Sequence, residues 1–191
     1  MTIGTRVVKT FVSLESALPA ARKRFASLFL AAGVVLVAAS AAQCDPKKPA
    51  SVTDGKYADA AGNPTYNISP DGKVDWYTYS GFLRYNSECL RCHGPDGMCS
   101  SYAPKLVDSL KTIDYPTFLG IVAGGKKDLG AGQEKVMPAL GDDKNVMCYI
   151  DDIYIYLKAR SDDALGRNRP TEHEPKPKTW TEAQDACMGP G

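Results

Sequence analysis

The chain has 191 residues, 43% of them hydrophobic and 24% charged, a globular balance that excludes a disordered or fibrous polypeptide. A formal net charge of +1 leaves no basic surplus of the kind nucleic acid selects. That length suits one ordinary domain with extensions.

The N-terminus reads as an export signal. Arg22, Lys23 and Arg24 precede the uncharged apolar run FASLFLAAGVVLVAA (residues 25–39), which ends in SAAQ, the order of a secretory signal. The run is shorter than the ~20 apolar residues of a spanning helix, so cleavage near Ala42 is expected over a retained anchor. Gln43, standing where a small residue should precede a lipidated cysteine, argues against a lipoprotein reading through Cys44. Residues 1–42 hold five basic side chains (Arg6, Lys9, Arg22, Lys23, Arg24) and one acid (Glu15). Cleavage would leave 18 basic and 21 acidic side chains, a net charge of −3.

Strand signals are thin. Residues 66–79, YNISPDGKVDWYTY, offer a hairpin around Asp71 and Gly72, and the extension over residues 43–75 is otherwise read as irregular. Helical spacing begins with YSGFLRYNSECLRCH, in which Gly81, Tyr85, Cys89 and His93 fall four residues apart on one helix face. Gly81 would let another helix cross closely.

Cys89 and Cys92 form a Cys-x-x-Cys pair, which serves zinc binding, dithiol exchange or covalent haem attachment. Zinc held by cysteines normally uses a second such pair, and Cys99, Cys148 and Cys187 are isolated. A dithiol redox motif sits where a strand feeds a helix, whereas the residues before Cys89 read as helix interior. Haem uses every residue: Cys89 and Cys92 would form thioethers to its vinyl groups, and His93 would reach the iron. In YAPKL, the Pro104 carbonyl is a candidate acceptor for the second ring N–H of His93, and Leu106 is a candidate haem-packing residue.

YPTFLGIVAGG (residues 115–125) reads as a shorter helix stopped by Gly124 and Gly125. NVMCYIDDIYIYLKAR (residues 145–160) reads as one amphipathic helix with Val146, Ile150, Ile153, Tyr154 and Leu157 at helical spacing, the candidate crossing helix. Asp142 and Asp143 suit its start, and Lys158 and Arg160 its end. Candidates for the sixth iron position are Met98, Met137, Met147, Met188 and His173. Met98 follows His93 too closely to reach the opposite haem face, Met147 falls inside a helix, and Met188 sits in a terminal Gly/Pro tail. His173 lies in the charged segment RPTEHEPKPK and reads as solvated. Met137, in a loop stiffened by Pro138, is preferred. Four cysteines remain, Cys44, Cys99, Cys148 and Cys187, with three complete pairings open; Cys148 with Cys187 is preferred because it ties the tail to the last helix. Cys44 with Cys99 would follow.

Gly81-x3-Tyr85-x3-Cys89-x2-Cys92-His93, Met137-Pro138 and the final helix together resemble a class I cytochrome c over residues 76–160. DGKYADAAGNPTYNISPDGKVDWYTYSGF, HGPDG, YAPKLVDSLKT and VMPALGDDKNVMCYIDDIYIYLKAR further resemble the c-type cytochromes of bacterial methanol metabolism. The resemblance implies an all-α fold around one covalent haem c, with an irregular tail over residues 161–191. It implies thioether links at Cys89 and Cys92, and axial ligation by His93 and Met137. It also implies a periplasmic carrier of single electrons with no catalytic residue. The donor would be a quinoprotein methanol or alcohol dehydrogenase, calcium- or lanthanide-dependent, and the acceptor another cytochrome c or an oxidase. Cys99 departs from the small residue expected there. A general respiratory cytochrome c is the nearest alternative. A small haem peroxidase or a haem sensor would need an open sixth position, and a peroxidase a distal acid/base group for which only His173 offers.

Overall fold

Asp75 opens the first helix. In the computed structural model, which describes residues 48–98, 100–128 and 135–189, its carboxylate accepts from the Thr78 N–H at 2.8 Å. That N-cap satisfies one of the donors a helix start leaves without a partner. The same buried carboxylate accepts from the Thr78 hydroxyl at 2.6 Å and the Asn67 N–H at 2.8 Å. Helix α1 is Trp76–Arg84. One π-helical turn, Tyr85–Cys89, follows, and α2, Leu90–His93, carries Cys92 and His93. The sequence spacing implies a single uninterrupted helix. The structure instead inserts the wider π turn, closed by the Leu90 N–H on the Tyr85 carbonyl, which moves Cys89 and His93 off the line of Gly81 and Tyr85.

Beyond the short 3₁₀ turn Pro95–Gly97 come α3, Leu106–Ser109, and α4, Tyr115–Gly124. Asp114 caps α4 through the Thr117 N–H at 2.9 Å, and Pro116 stands in its first turn, where a missing N–H costs nothing. Gly125, at φ +75°, ends it. Strands β4, Lys126–Asp128, and β5, Lys135–Met137, then pair antiparallel, with Lys126 opposite Met137.

The final amphipathic helix divides in two. α5 is Lys144–Met147 and α6 is Ile150–Ser161, with Cys148 and Tyr149 between them. α6 is buried on nearly every side, including Ile153, Ile155, Tyr156 and Leu157, so it is a central helix and not a half-exposed one. α1 crosses it at Gly81, where a Cβ would stand 1.9 Å from the Asp152 carbonyl oxygen and 2.8 Å from the Tyr156 Cβ. Only glycine permits that approach.

The two extensions carry more regular structure than the sequence reading assigned them. β1, Ser51–Thr53, β2, Lys56–Ala58, and β3, Pro64–Thr65, form an antiparallel sheet in that order. Asp54 and Gly55 turn the first hairpin at φ 49° and 80°. The hairpin read over residues 66–79 shrinks to one bridge between Ile68 and Val74, because Asp75 starts α1 immediately after it. In the tail, α7, Lys178–Met188, docks on α6: Trp180 is buried and its Nε1–H donates to Asp152 Oδ2 at 2.8 Å. The Cys148–Cys187 disulfide anchors α7, as preferred, with Cα atoms 5.7 Å apart. The export signal and the Cys44–Cys99 pairing fall outside the described residues. No described helix is long and apolar enough to cross a membrane.

Candidate haem site

The π turn and α2 present Cys89 half-buried, Cys92 exposed and His93 buried. Both thiols are free, although the same chain forms a disulfide at Cys148 and Cys187. Burial pushes the Cys89 thiol up to about 12, with the charges of Glu88 and Cys92 adding to it. A thiol held neutral is a poor nucleophile.

His93 Nδ1 lies 3.4 Å from the Pro104 carbonyl oxygen. A carbonyl only accepts, so this long contact places the ring proton on Nδ1 and leaves the Nε2 lone pair for a ligand bond. Burial lowers the His93 pKa, favouring the neutral imidazole that iron requires. Leu106 opens α3 and packs, partly buried, against the core. The donor set fits covalent haem: two unpaired thiols three residues apart on consecutive helical segments, and a neutral imidazole beside them with one nitrogen committed.

Met137 closes β5, partly buried against the core. Its backbone is fixed from two sides. It pairs with Lys126, and Gly125 passes so close that a Cβ there would lie 2.8 Å from the Met137 carbonyl oxygen. The Leu140 and Gly141 N–H groups return to the α4 carbonyls of Val122 and Ala123 at 3.0 and 3.1 Å. Met147 and Met188 also pack, partly buried, against the core, at the ends of α5 and α7, and Met98 follows the 3₁₀ turn. His173 is partly buried, where the sequence reads as solvated: its ring stacks on Tyr79 at 4.0 Å and meets Trp76 edge-on at 5.3 Å. The tail brings it there, since residue 173 bridges Val74 in parallel.

Two features escaped the sequence reading. The Tyr85 hydroxyl reaches the turn after His93, and Asp152, 4% exposed, is a buried carboxyl raised to about 7 by burial. A separate cleft of about 660 Å³ lies between the N-terminal sheet, α6 and α7, lined by Lys56, Tyr77, Asp151 and Trp180; none of Cys89, Cys92, His93 and Met137 faces it.

Helices crossing at a glycine beside a helix-borne Cys-x-x-Cys-His segment define the class I cytochrome c fold. The comparisons agree. The crystal structure of c-type cytochrome XoxG from Methylobacterium extorquens AM1 matches at a TM-score of 0.70 and 53% identity, covering 74% of this chain and 87% of that one. Cytochrome c-553I of Paracoccus denitrificans is 47% identical over 140 residues, 73% of this chain and 62% of that protein, so the chain spans under two thirds of that relative's length. Cytochrome c-555 of Methylococcus capsulatus is 38% identical over 90 residues, 47% of this chain and 67% of that protein. No family model matches the chain. The chain belongs to the c-type cytochromes, and that membership implies covalently bound haem c.

Proposed function

We propose that the protein is a periplasmic mono-haem cytochrome that accepts single electrons from a pyrroloquinoline quinone-dependent methanol or alcohol dehydrogenase and passes them to another cytochrome c or an oxidase. The observation that carries the haem reading is the Cys89, Cys92 and His93 set, with free thiols and an imidazole whose Nδ1 faces Pro104. The basic, apolar and small-residue order of residues 22–43 supports export. The methanol reading rests on the resemblance of the segments flanking the haem motif and Met137.

When bound, haem supplies a one-electron couple whose potential depends on axial ligands, burial and hydrogen bonding. The chain's own residues do the holding. Cys89 and Cys92 would attach the haem, His93 would bind its iron, and the Pro104 carbonyl would hold the imidazole through Nδ1. Met137 would be the second iron ligand, on a strand pinned by Lys126 and Gly125. With His93 and Met137 both on the iron no position would be left for substrate, and electron carriage would be the chemistry that remains.

The test mixes oxidised protein with the dehydrogenase and methanol and follows haem reduction. Fast reduction that requires both is expected. Reduction no faster than by a small chemical reductant, with rapid reduction by a respiratory complex, overturns the methanol reading in favour of a respiratory carrier. Mature net charge is only −3, so the rate is expected to fall mildly with salt.

A further inference from the structure

We infer that Tyr85 is a positioning residue for the haem site: its hydroxyl ties both ends of the turn after His93 to the end of α1 and so fixes the direction of the His93 imidazole. This rests on the haem reading above. Tyr85 is 0% exposed and begins the π turn that leads into Cys89. Its hydroxyl donates to the Gly94 carbonyl at 2.6 Å and accepts from the Gly97 N–H at 3.0 Å. Gly94 directly follows His93, so the bond lands one peptide from the ligand.

The turn needs such a tether. Gly94, Asp96 and Gly97 all have positive φ, at 72°, 61° and 71°, and the backbone bonds of this path, Gly94 N–H to the Leu90 carbonyl at 2.8 Å and Met98 N–H to the Pro95 carbonyl at 3.1 Å, do not tie it to the end of α1. Arg167 also reaches it, donating to Asp96 at 3.2 Å, but the Arg167 side chain is 66% exposed. An ion pair that open contributes little. The Tyr85 bonds are buried, where losing a partner matters most. Burial also raises the Tyr85 pKa, keeping the phenol a donor. Its ring is held independently by Tyr156 at a centroid distance of 5.4 Å, so removing the hydroxyl alone leaves the packing in place.

The π turn explains why a tyrosine can do this. It closes through the Leu90 N–H on the Tyr85 carbonyl, so residue 85 is fixed at both main chain and side chain while Cys89 to His93 are carried around it. Single π turns inside helices are frequent at functional sites.

The experiment compares wild type, Tyr85→Phe and Tyr156→Phe as haem-loaded proteins, reading the reduction potential and the paramagnetically shifted His93 ring resonances of the oxidised form. Tyr85→Phe is expected to keep its haem through denaturation, shift the potential and displace the His93 resonances, while Tyr156→Phe leaves both near wild type. Unchanged potential and resonances in Tyr85→Phe overturn the inference, as do equal shifts in Tyr156→Phe, which would mark a general packing effect. Loss of haem from denatured wild type instead overturns the attachment reading on which the inference stands. If Tyr85→Phe does not accumulate, wild type decides: a slowly exchanging Tyr85 hydroxyl proton close to the Gly97 amide supports the tether, and a fast-exchanging one overturns it.

Discussion

Replacing Gly81 by alanine is expected to destabilise the protein, although glycine-to-alanine changes inside helices usually do the reverse. A Cβ at residue 81 would lie 1.9 Å from the Asp152 carbonyl oxygen and 2.5 Å from its carbon. Ordinary carbon–oxygen contact is about 3.3 Å, so α1 must retreat from α6 by more than ~1 Å. The obstruction is main chain, which no rotamer change relieves. Overpacking of a core costs about 1–3 kcal/mol, and a rigid backbone clash belongs at the upper end. Alanine returns about 1 kcal/mol of helix propensity, leaving a net loss of about 2 kcal/mol. Gly120 in α4 supplies the control, because nothing lies within 4 Å of a Cβ there, and its alanine variant is expected to gain up to about 1 kcal/mol. Urea unfolding of the haem-loaded proteins, followed by far-ultraviolet circular dichroism and haem absorbance, measures both at constant slope. A Gly81→Ala protein as stable as wild type, beside a Gly120→Ala protein that gains, refutes the close-crossing reasoning.

Cys187→Ser opens a bridge across a sequence separation of 39, worth about 4 kcal/mol in the chain-entropy view. It should release α7 before the haem domain unfolds, and tryptophan fluorescence reports this through Trp180; loss of haem ligation at the same denaturant concentration contradicts it. Burial raises the Asp152 carboxyl from 3.8 to about 7, so between those values the folded state holds a proton that the unfolded state has released. Stability therefore falls as pH rises across that window, by on the order of 4 kcal/mol for a shift of that size. Asp152→Asn should remove most of this slope and leave the part due to Asp75, whose pKa burial also raises; an unaltered slope in stability against pH counts against it. Met137→Ala should open the sixth iron position, lower the potential and admit carbon monoxide, and an unchanged carbon monoxide difference spectrum assigns the ligand elsewhere.

The parts of the fold legible in the sequence are those that local chemistry dictates. Cys89, Cys92 and His93 name their chemistry by residue type, and Gly81 announces a close crossing by lacking a side chain. Pro104 fell within reach of His93 because a short loop leaves few carbonyls to choose from. The interruptions were not legible. The π turn at Tyr85–Cys89 depends on the Leu90-to-Tyr85 bond, and helical spacing alone looks the same with or without it. The break at Cys148 and Tyr149 hides inside a continuous apolar pattern. The first hairpin carried an overlooked signal: Asp54-Gly55 is a preferred pair for a two-residue turn with positive φ at both positions. Asp152 drew no reading at all, because nothing local marks its burial beneath Trp180, contributed by the tail.

The most direct test of the central claim is the intact mass of the exported protein after denaturation. The expected value is that of the processed polypeptide plus one haem, reduced to the polypeptide alone when Cys89 and Cys92 are both replaced by alanine. Wild-type protein whose denatured mass carries no haem would contradict covalent attachment and, with it, the electron-carrier reading.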